Sequence, residues 1–252
     1  MEKDFLLLKK IPYICVPLTG GTKTKIVEQL HTILTSKPDI IEWRVDFFDQ
    51  IKNVNNVHEV IKKIKLTTNI PLLFTIRAAH EGGENIPLNL KEKIDLITEI
   101  CQHSKVDIID FEMSNGANEV EQICNLAKNN GKKLILSYHN FEYTPTNEEL
   151  LQLGIKAEKA GADVVKVAVM PETKADVLRL LQVTNEMDES LSIPVVTMSM
   201  GNIGGLSRVI GWAYGSAVTF GVGAKSSAPG QLPVDKLREA IEQTQQLVGT
   251  WK

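Results

Sequence analysis

A short apolar run followed by a helical pattern occurs eight times along this chain of 252 residues. Runs rich in Val, Ile and Leu favour buried parallel strands, and apolar residues at a spacing of three or four favour helices. The predicted strands are Tyr13–Leu18, Asp39–Val45, Pro71–Arg77, Asp107–Glu112, Lys133–His139, Asp163–Met170, Ile193–Met200 and Ser216–Phe220. The predicted helices are Lys23–Leu34, Val54–Lys65, Leu90–His103, Asn118–Asn130, Asn147–Ala160, Lys174–Met187, Leu206–Trp212 and a last one from Pro233 to Val248.

Eight strand–helix units in about 250 residues match the size of an α/β fold, the (β/α)8 TIM barrel. A doubly wound open sheet is the alternative, although it usually has fewer strands or a second domain. No low-complexity linker or break in composition divides the chain, so we predict one catalytic barrel domain over residues 1–252. In such a barrel the functional side chains lie at the carboxyl ends of the strands.

Charge and composition exclude several classes of partner. The formal net charge is −3, from 28 basic and 31 acidic residues, which gives no basic surface for nucleic acid or an anionic membrane. Three widely spaced cysteines and five histidines form no metal-binding pattern, so we expect no metal. The apolar run at residues 5–8 is too short for a signal peptide or a membrane span, and we predict a cytoplasmic protein.

A lysine interrupts the sixth predicted strand. Alternation along a strand places Val164, Lys166 and Ala168 on one face, so Lys166 has apolar neighbours on both sides. Burial disfavours the ammonium and turns a lysine into an amine nucleophile. The structural alternative is a lysine that reaches solvent from the strand end or pairs with a carboxylate.

Polar side chains recur at the ends of four other predicted strands. They are Glu42 and Arg44 with Asp46, Thr75 and Arg77, Asp110 and Glu112, and Ser137 and His139; Glu81 follows in the third loop. Their repetition favours a binding site at the barrel mouth. For Glu42, Arg44, Asp110 and Glu112 the alternative is a network of ion pairs that closes one end of the barrel.

The last third of the chain carries further candidates. Met198 and Met200 share a face of the seventh strand, where methionine usually means core but also contacts ligands. Arg208 is predicted at the start of a short helix, where the helix dipole and the guanidinium both favour an anion such as a carboxylate. Residues 221–231 lack the dinucleotide-binding fingerprint, and their small side chains favour a mobile loop over the substrate. The turn Thr19-Gly20-Gly21-Thr22 does not match a phosphate-binding loop and is explained by helix capping.

A buried amine, a histidine one strand away and arginines for an anion together indicate imine chemistry. An amine condenses with a ketone to give a protonated Schiff base, whose positive nitrogen eases removal of a proton from the adjacent carbon. His139 has an ordinary pKa near neutrality, which suits proton transfer in several steps.

Five segments in this order resemble the type I 3-dehydroquinate dehydratase family over essentially the whole chain. They are residues 42–46, 74–77 with Glu81-Gly82-Gly83, 134–141, the strand around Lys166, and Ser227-Ala228-Pro229-Gly230-Gln231. The resemblance implies a TIM barrel, usually a homodimer, that removes water from 3-dehydroquinate to give 3-dehydroshikimate. This step belongs to the shikimate pathway of aromatic amino-acid biosynthesis, and the family uses a Schiff base and no cofactor.

The resemblance also implies roles for individual residues. Lys166 matches the Schiff-base lysine and His139 the acid and base, with Glu81 oriented toward that histidine. The other matched positions bind substrate. Glu42, Arg44 and Arg77 bind its hydroxyls or other polar atoms, and Arg208, Ser227 and Gln231 bind its carboxylate. Met198, Met200 and Phe220 pack against the ring, and Ala228 is a further substrate-binding position. Asn140 stands where the family often has aspartate, and Phe111 where it commonly has an aliphatic residue.

Two other functions remain open from the residues alone. A class I aldolase acting on a phosphorylated keto sugar needs a phosphate site in the last two loops, which Arg208 and the glycines there could supply. A catalytically silent barrel that binds a metabolite predicts no covalent trapping of a ketone. The chain ends straight after its eighth predicted helix, so we expect the free-standing microbial form of the enzyme rather than a fused one.

Overall fold

Each strand of the chain pairs in parallel with a strand of the neighbouring unit. The computed structural model describes residues 12–223 and 227–248. The strands are β1 (Tyr13–Leu18), β2 (Ile40–Arg44), β3 (Leu72–Thr75), β4 (Ile108–Glu112), β5 (Lys133–Asn140), β6 (Val164–Val169), β7 (Val195–Ser199), β8 (Val218–Val222) and β9 (Leu232–Pro233). The helices are α1 (Lys23–Leu34), α2 (Val54–Thr67), α3 (Leu90–His103), α4 (Ala117–Asn129), α5 (Asn147–Ala160), α6 (Lys174–Ser190), α7 (Gly201–Ile210) and α8 (Val234–Val248).

The strand order is β7-β6-β5-β4-β3-β2-β1-β8-β9, so consecutive strands are neighbours from β1 to β7. A parallel bridge between Val195 of β7 and Ser216, just before β8, joins the two ends of this sheet. The Ala217 N–H also donates to the Val195 carbonyl oxygen at 2.8 Å. This closure confirms the predicted TIM barrel, and the alternative of an open doubly wound sheet is wrong.

The alternation of side chains in β6 divides the core into two layers. Val165, Val167 and Val169 face outward and pack in the large apolar layer between strands and helices. Val164 and Ala168 face inward with Met198, Met200 and Phe220 in a smaller cluster inside the barrel. Lys166 lies between Val164 and Ala168 in the alternation and therefore also points into the barrel. Its neighbours in the sheet are Ser137 of β5 and Val196 of β7. None of the helices in the described residues is long and apolar enough to cross a membrane.

The seventh helix differs from the prediction. It begins at Gly201 rather than near Leu206, so Arg208 lies in its last turn and not at its start. The dipole at the start of the helix therefore does not act on Arg208, and that part of the prediction is wrong. Glycines made the segment resemble a turn, because they disfavour helix. Gly204 instead permits close packing, since a Cβ there would lie 2.3 Å from the Ser199 carbonyl oxygen.

Candidate active site

One pocket opens at the carboxyl ends of the strands, and every residue to which the family resemblance gives a role in the site lines it, except Arg208. Its predicted lining residues are Glu42, Arg44, Arg77, Glu81, His139, Lys166, Met198, Met200, Phe220, Ser227, Ala228 and Gln231, and Gly82, Phe141 and Ala168 complete the wall. The empty space between these residues, together with the open solvent at the mouth of the pocket, is about 440 Å³. Arg208 lies behind Met198, with its Nη1 at 3.6 Å from the sulfur.

Lys166 is buried but does not lie in apolar surroundings. Its Nζ is 3.5 Å from Asp110 Oδ2 and 3.9 Å from Glu42 Oε1, and it lies 4.4 Å from the centre of the Phe220 ring. Two carboxylates and an aromatic face all stabilise an ammonium. The structure therefore agrees with the alternative interpretation, in which the lysine pairs with a carboxylate. The carboxylates belong to β2 and β4, so the sequence of β6 alone does not contain them.

Arg77 is the centre of a buried ionic cluster. Its Nη2 donates to Asp110 Oδ1 at 2.7 Å, and its Nη1 donates to Ser137 Oγ at 2.8 Å and lies 3.2 Å from Glu112 Oε1. Burial opposes the charge, but Asp110 and Glu112 outweigh it and raise the pKa of Arg77 above its ordinary value. Burial likewise opposes ionisation of Asp110, but Arg77 and Lys166 hold the pKa of Asp110 low.

Glu42 and Arg44 point into the pocket from β2 and are held by different partners. Arg44 donates from Nε and Nη2 to the two oxygens of Asp46, at 2.8 and 2.7 Å. Glu42 accepts from the Thr75 hydroxyl at 3.0 Å. A bidentate pair such as Arg44–Asp46 fixes the guanidinium plane, so the arginine needs little reordering before a ligand binds.

His139 and Glu81 form a hydrogen-bonded pair at the edge of the pocket. One oxygen of Glu81 accepts from the His139 backbone N–H at 3.0 Å and lies 2.9 Å from Nδ1. The other oxygen accepts from the Ser114 hydroxyl at 2.5 Å. With Nδ1 protonated toward Glu81, the Nε2 lone pair of a neutral imidazole is available as a base.

The ionisation of this pair differs from the prediction for His139. Burial, helped by the charges of Arg77, Lys166 and Arg44, holds the pKa of His139 well below its ordinary value. Burial raises the pKa of Glu81 to about 7, against the hydrogen bond from Ser114 and the charge of Arg77. The group that titrates near neutrality is therefore Glu81, and the imidazole is neutral at that pH.

Arg208 is the third buried arginine of the site, after Arg44 and Arg77, and it has no carboxylate partner in the described part of the chain. Only 2 % of Arg208 is exposed. Its Nη2 donates to the Pro229 carbonyl oxygen at 3.0 Å, while Nε is buried without a hydrogen bond. Burial lowers the pKa of Arg208 to about 10, so the group remains a cation at neutral pH. An uncompensated buried guanidinium is suited to bind an anion.

The segment from Ser227 to Gln231 lies against the start of α7. The Ser227 N–H donates to Gln231 Oε1 at 2.9 Å, and Gln231 Nε2 donates to Ser227 Oγ at 3.2 Å. Gly230 has a φ of 75° and packs so closely that a Cβ would lie 2.3 Å from the Gly201 carbonyl oxygen. Residues 224–226 of the predicted mobile loop lie outside the described part of the chain.

Two residues of the polar network were not predicted. Ser114 follows β4, at the end of the barrel where functional groups were expected, but a lone serine in a turn gives little signal. Lys93 is 5 % exposed and donates to Glu112 Oε2 at 2.5 Å. Its signal was present in the sequence, because Lys93 precedes Ile97 and Ile100 on the apolar face of α3.

This geometry can be compared with known proteins. The family described as Type I 3-dehydroquinase matches residues 14–248. The chain belongs to that family. A 3-dehydroquinate dehydratase from Albidiferax ferrireducens is 47% identical, over 92% of this chain and 88% of the relative. One from Geobacillus sp. is 46% identical, over 91% of this chain and 89% of the relative.

Solved structures agree with this family assignment. A 3-dehydroquinate dehydratase from Geobacillus kaustophilus superposes with a TM-score of 0.91 at 41% identity, over 93% of this chain and 91% of that one. A type I 3-dehydroquinate dehydratase from Clostridium difficile, solved with covalent modified comenic acid, has a TM-score of 0.91 at 38% identity, over 95% and 94% of the two chains. The predicted family and its enzyme class, a hydro-lyase, are confirmed.

Proposed function

We propose that this chain removes water from 3-dehydroquinate to give 3-dehydroshikimate in the shikimate pathway, through an imine on Lys166. The observation that carries the proposal is a pair of buried cations with different surroundings, Lys166 in the pocket wall and Arg208 directly behind Met198 of that wall. Lys166 is 4 % exposed between carboxylates, and Arg208 is 2 % exposed with no carboxylate partner in the described residues. A small molecule with a ketone at one end and a carboxylate at the other fits this arrangement.

In this proposal Arg208 binds the substrate carboxylate together with Ser227 and Gln231, whose side chains lie on the segment that contacts Arg208 through Pro229. Glu42, Arg44 and Arg77 bind the ring hydroxyls. Met198, Met200, Phe220 and Ala228 pack against the carbon ring. The packing and the fixed ion pairs orient the substrate so that its ketone reaches Lys166.

The first chemical step is imine formation. The Lys166 ammonium passes a proton to Nε2 of His139, and the neutral Nζ attacks the ketone carbon to form a carbinolamine. The imidazolium so formed returns that proton to the carbinolamine hydroxyl, which leaves as water and gives the iminium. Asp110 and Glu42, at 3.5 and 3.9 Å from Nζ, stabilise that positive nitrogen as they stabilise the ammonium.

The second step is elimination. His139 Nε2 removes a proton from the carbon next to the iminium, and the electron pair moves onto the nitrogen to give an enamine. The imidazolium so formed is stabilised by ionised Glu81, which accepts its Nδ1–H at 2.9 Å. The enamine expels the hydroxyl at the adjacent carbon as water, with the proton supplied by His139. Hydrolysis of the resulting iminium releases the product and restores Lys166.

Borohydride trapping tests this mechanism. The chain incubated with 3-dehydroquinate and sodium borohydride is expected to gain the mass of a reduced adduct, mapped by peptide sequencing to Lys166. Lys166→Ala is the control and is expected to gain no mass. The His139→Ala variant is expected to accumulate the trapped species at very low turnover. Dehydration by the parent chain without an adduct on Lys166 would contradict the imine.

We also propose that the enzyme is a cytoplasmic homodimer. Three large apolar side chains are exposed on adjacent helices, Leu178 on α6 at 68 % and Ile203 and Leu206 on α7 at 48 % and 59 %. Exposed apolar clusters favour association between copies. Light scattering after size exclusion is expected to give twice the mass of one chain, and Leu206→Glu is expected to reduce it to one; a monomeric parent would contradict the proposal.

A further inference from the structure

A second buried lysine lies behind the pocket wall. Lys93 belongs to the first turns of α3 on the outside of the barrel, and its side chain reaches inward between the helix and β4. Its Nζ lies 2.5 Å from Glu112 Oε2 and 5.4 Å from the centre of the Phe111 ring. Burying an ammonium is costly, so a lysine at this position has to be compensated by the contacts it makes.

Glu112 connects Lys93 to the catalytic end of the barrel. Its Oε1 accepts from the Ala78 N–H at 2.8 Å and lies 3.2 Å from Nη1 of Arg77. Ala78 caps the short 3-10 helix at residues 79–81, whose last residue is Glu81. The carboxylate of Glu112 therefore touches the guanidinium of the pocket and the backbone that carries the partner of His139.

The charges around Glu112 make Lys93 necessary. Two cations face it, Arg77 from the end of β3 and Lys93 from α3, and the carboxylates of Asp110 and Glu81 lie nearby. Burial opposes ionisation of Glu112, and Arg77 and Lys93 together hold its pKa low. Without Lys93, Arg77 would be the one cation paired with Glu112 among the described residues, and Arg77 also pairs with Asp110 and Glu81.

We infer that Lys93 is a positioning residue for the proposed dehydration: it holds Glu112 ionised and in place, and Glu112 in turn fixes Arg77 and the loop that carries Glu81. The inference rests on the proposed function, since its effect is read in that reaction. Lys93 does not line the pocket, so any effect on catalysis passes through Glu112. This distinguishes it from a residue that contacts substrate.

The test is the pH dependence of kcat/KM for 3-dehydroquinate in the Lys93→Met and Lys93→Arg variants. Loss of the ammonium raises the pKa of Glu112, so in Lys93→Met this carboxyl takes up a proton at a higher pH and releases Arg77. We expect kcat/KM of Lys93→Met to fall more steeply with decreasing pH than that of the parent, with an additional loss of about tenfold at pH 5 and little loss at pH 9. Lys93→Arg keeps the cation and is expected to retain the parent profile.

The double variant Lys93→Met/Glu112→Gln separates the two residues. The amide that replaces the Glu112 carboxyl does not titrate, so the added pH dependence is expected to disappear even if the rate is lower at every pH. If Lys93→Met does not fold, Lys93→Gln serves the same test, because it keeps a hydrogen-bond donor without the charge. A parent-like profile for a folded neutral variant would overturn the inference, as would a loss that is equal at all pH values. A parent chain without dehydratase activity would instead contradict the proposed function.

Discussion

Two of the three buried arginines of the site, Arg77 and Arg208, have opposite surroundings. Arg77 is shared by Asp110, Glu112 and Ser137 on β4 and β5, and the two carboxylates raise its pKa. Arg208, on the side formed by β7 and β8, has a methionine sulfur and one carbonyl oxygen, and burial lowers its pKa to about 10. On the first side of the barrel, carboxylates therefore neutralise the buried guanidinium before substrate binds. On the second side, no anion among the described residues neutralises Arg208.

This difference explains how the same residue type serves two purposes. A compensated guanidinium is rigid and orients its neighbours, and it stabilises the fold only while its partners remain. An uncompensated guanidinium lowers the free energy of unfolding, and the binding of an anionic ligand offsets this loss. Lys166 lies between the two sides, close to Asp110 on one side and to the Phe220 ring on the other.

The largest expected effect comes from the residue between the two sides. Lys166→Ala is expected to lower turnover by about 10⁴-fold or more, because no other amine among the described residues of the pocket can form the imine. The variant should fold but lose about 1–3 kcal/mol of unfolding free energy, since Asp110 and Glu42 lose a cation. Turnover and urea unfolding of the purified variant measure both. Residual activity close to the parent's would contradict the role of Lys166.

The next prediction concerns stability and sets one arginine against the other. Arg77→Met leaves buried carboxylates without their cation and is expected to cost about 3–5 kcal/mol of unfolding free energy. Arg208→Met removes an uncompensated charge and is expected to change the unfolding free energy by about 1 kcal/mol at most, or to raise it. Urea unfolding at pH 7 without ligand makes the comparison. Equal losses in the two variants would contradict the difference between the two sides.

A smaller effect is expected at the Glu81–His139 pair. Burial raises the pKa of Glu81 to about 7, and the active form has this carboxylate ionised, so kcat/KM of the parent should rise with pH through that value. Glu81→Gln is expected to lose this limb and about 10- to 100-fold of kcat/KM at pH 8. It should also be at least as stable as the parent there, because the parent must ionise a buried group. Glu84→Gln in the same loop is the control, and a limb that persists in Glu81→Gln belongs to another group.

The sequence predicted the fold better than it predicted the partners inside the site. Runs such as Val164–Val169 are largely apolar on both faces and mark buried strands directly. The start of α7 was missed because Gly204 resembles a turn residue, although it is there for close contact with β7. Ion pairs depend on which residues of neighbouring strands lie side by side, so nothing in the sequence alone gave Arg77 its carboxylate partners or placed Asp110 beside Lys166.

The most direct test of the account is the affinity of an imine-free protein for 3-dehydroquinate, measured by calorimetry. The Lys166→Met variant binds without chemistry, and adding Arg208→Met to it removes the proposed carboxylate site. We predict that the second substitution weakens binding by about 2–4 kcal/mol, which is about 30- to 1,000-fold in Kd. Equal affinity of the single and double variants, with both folded, would contradict the assignment of the carboxylate to Arg208.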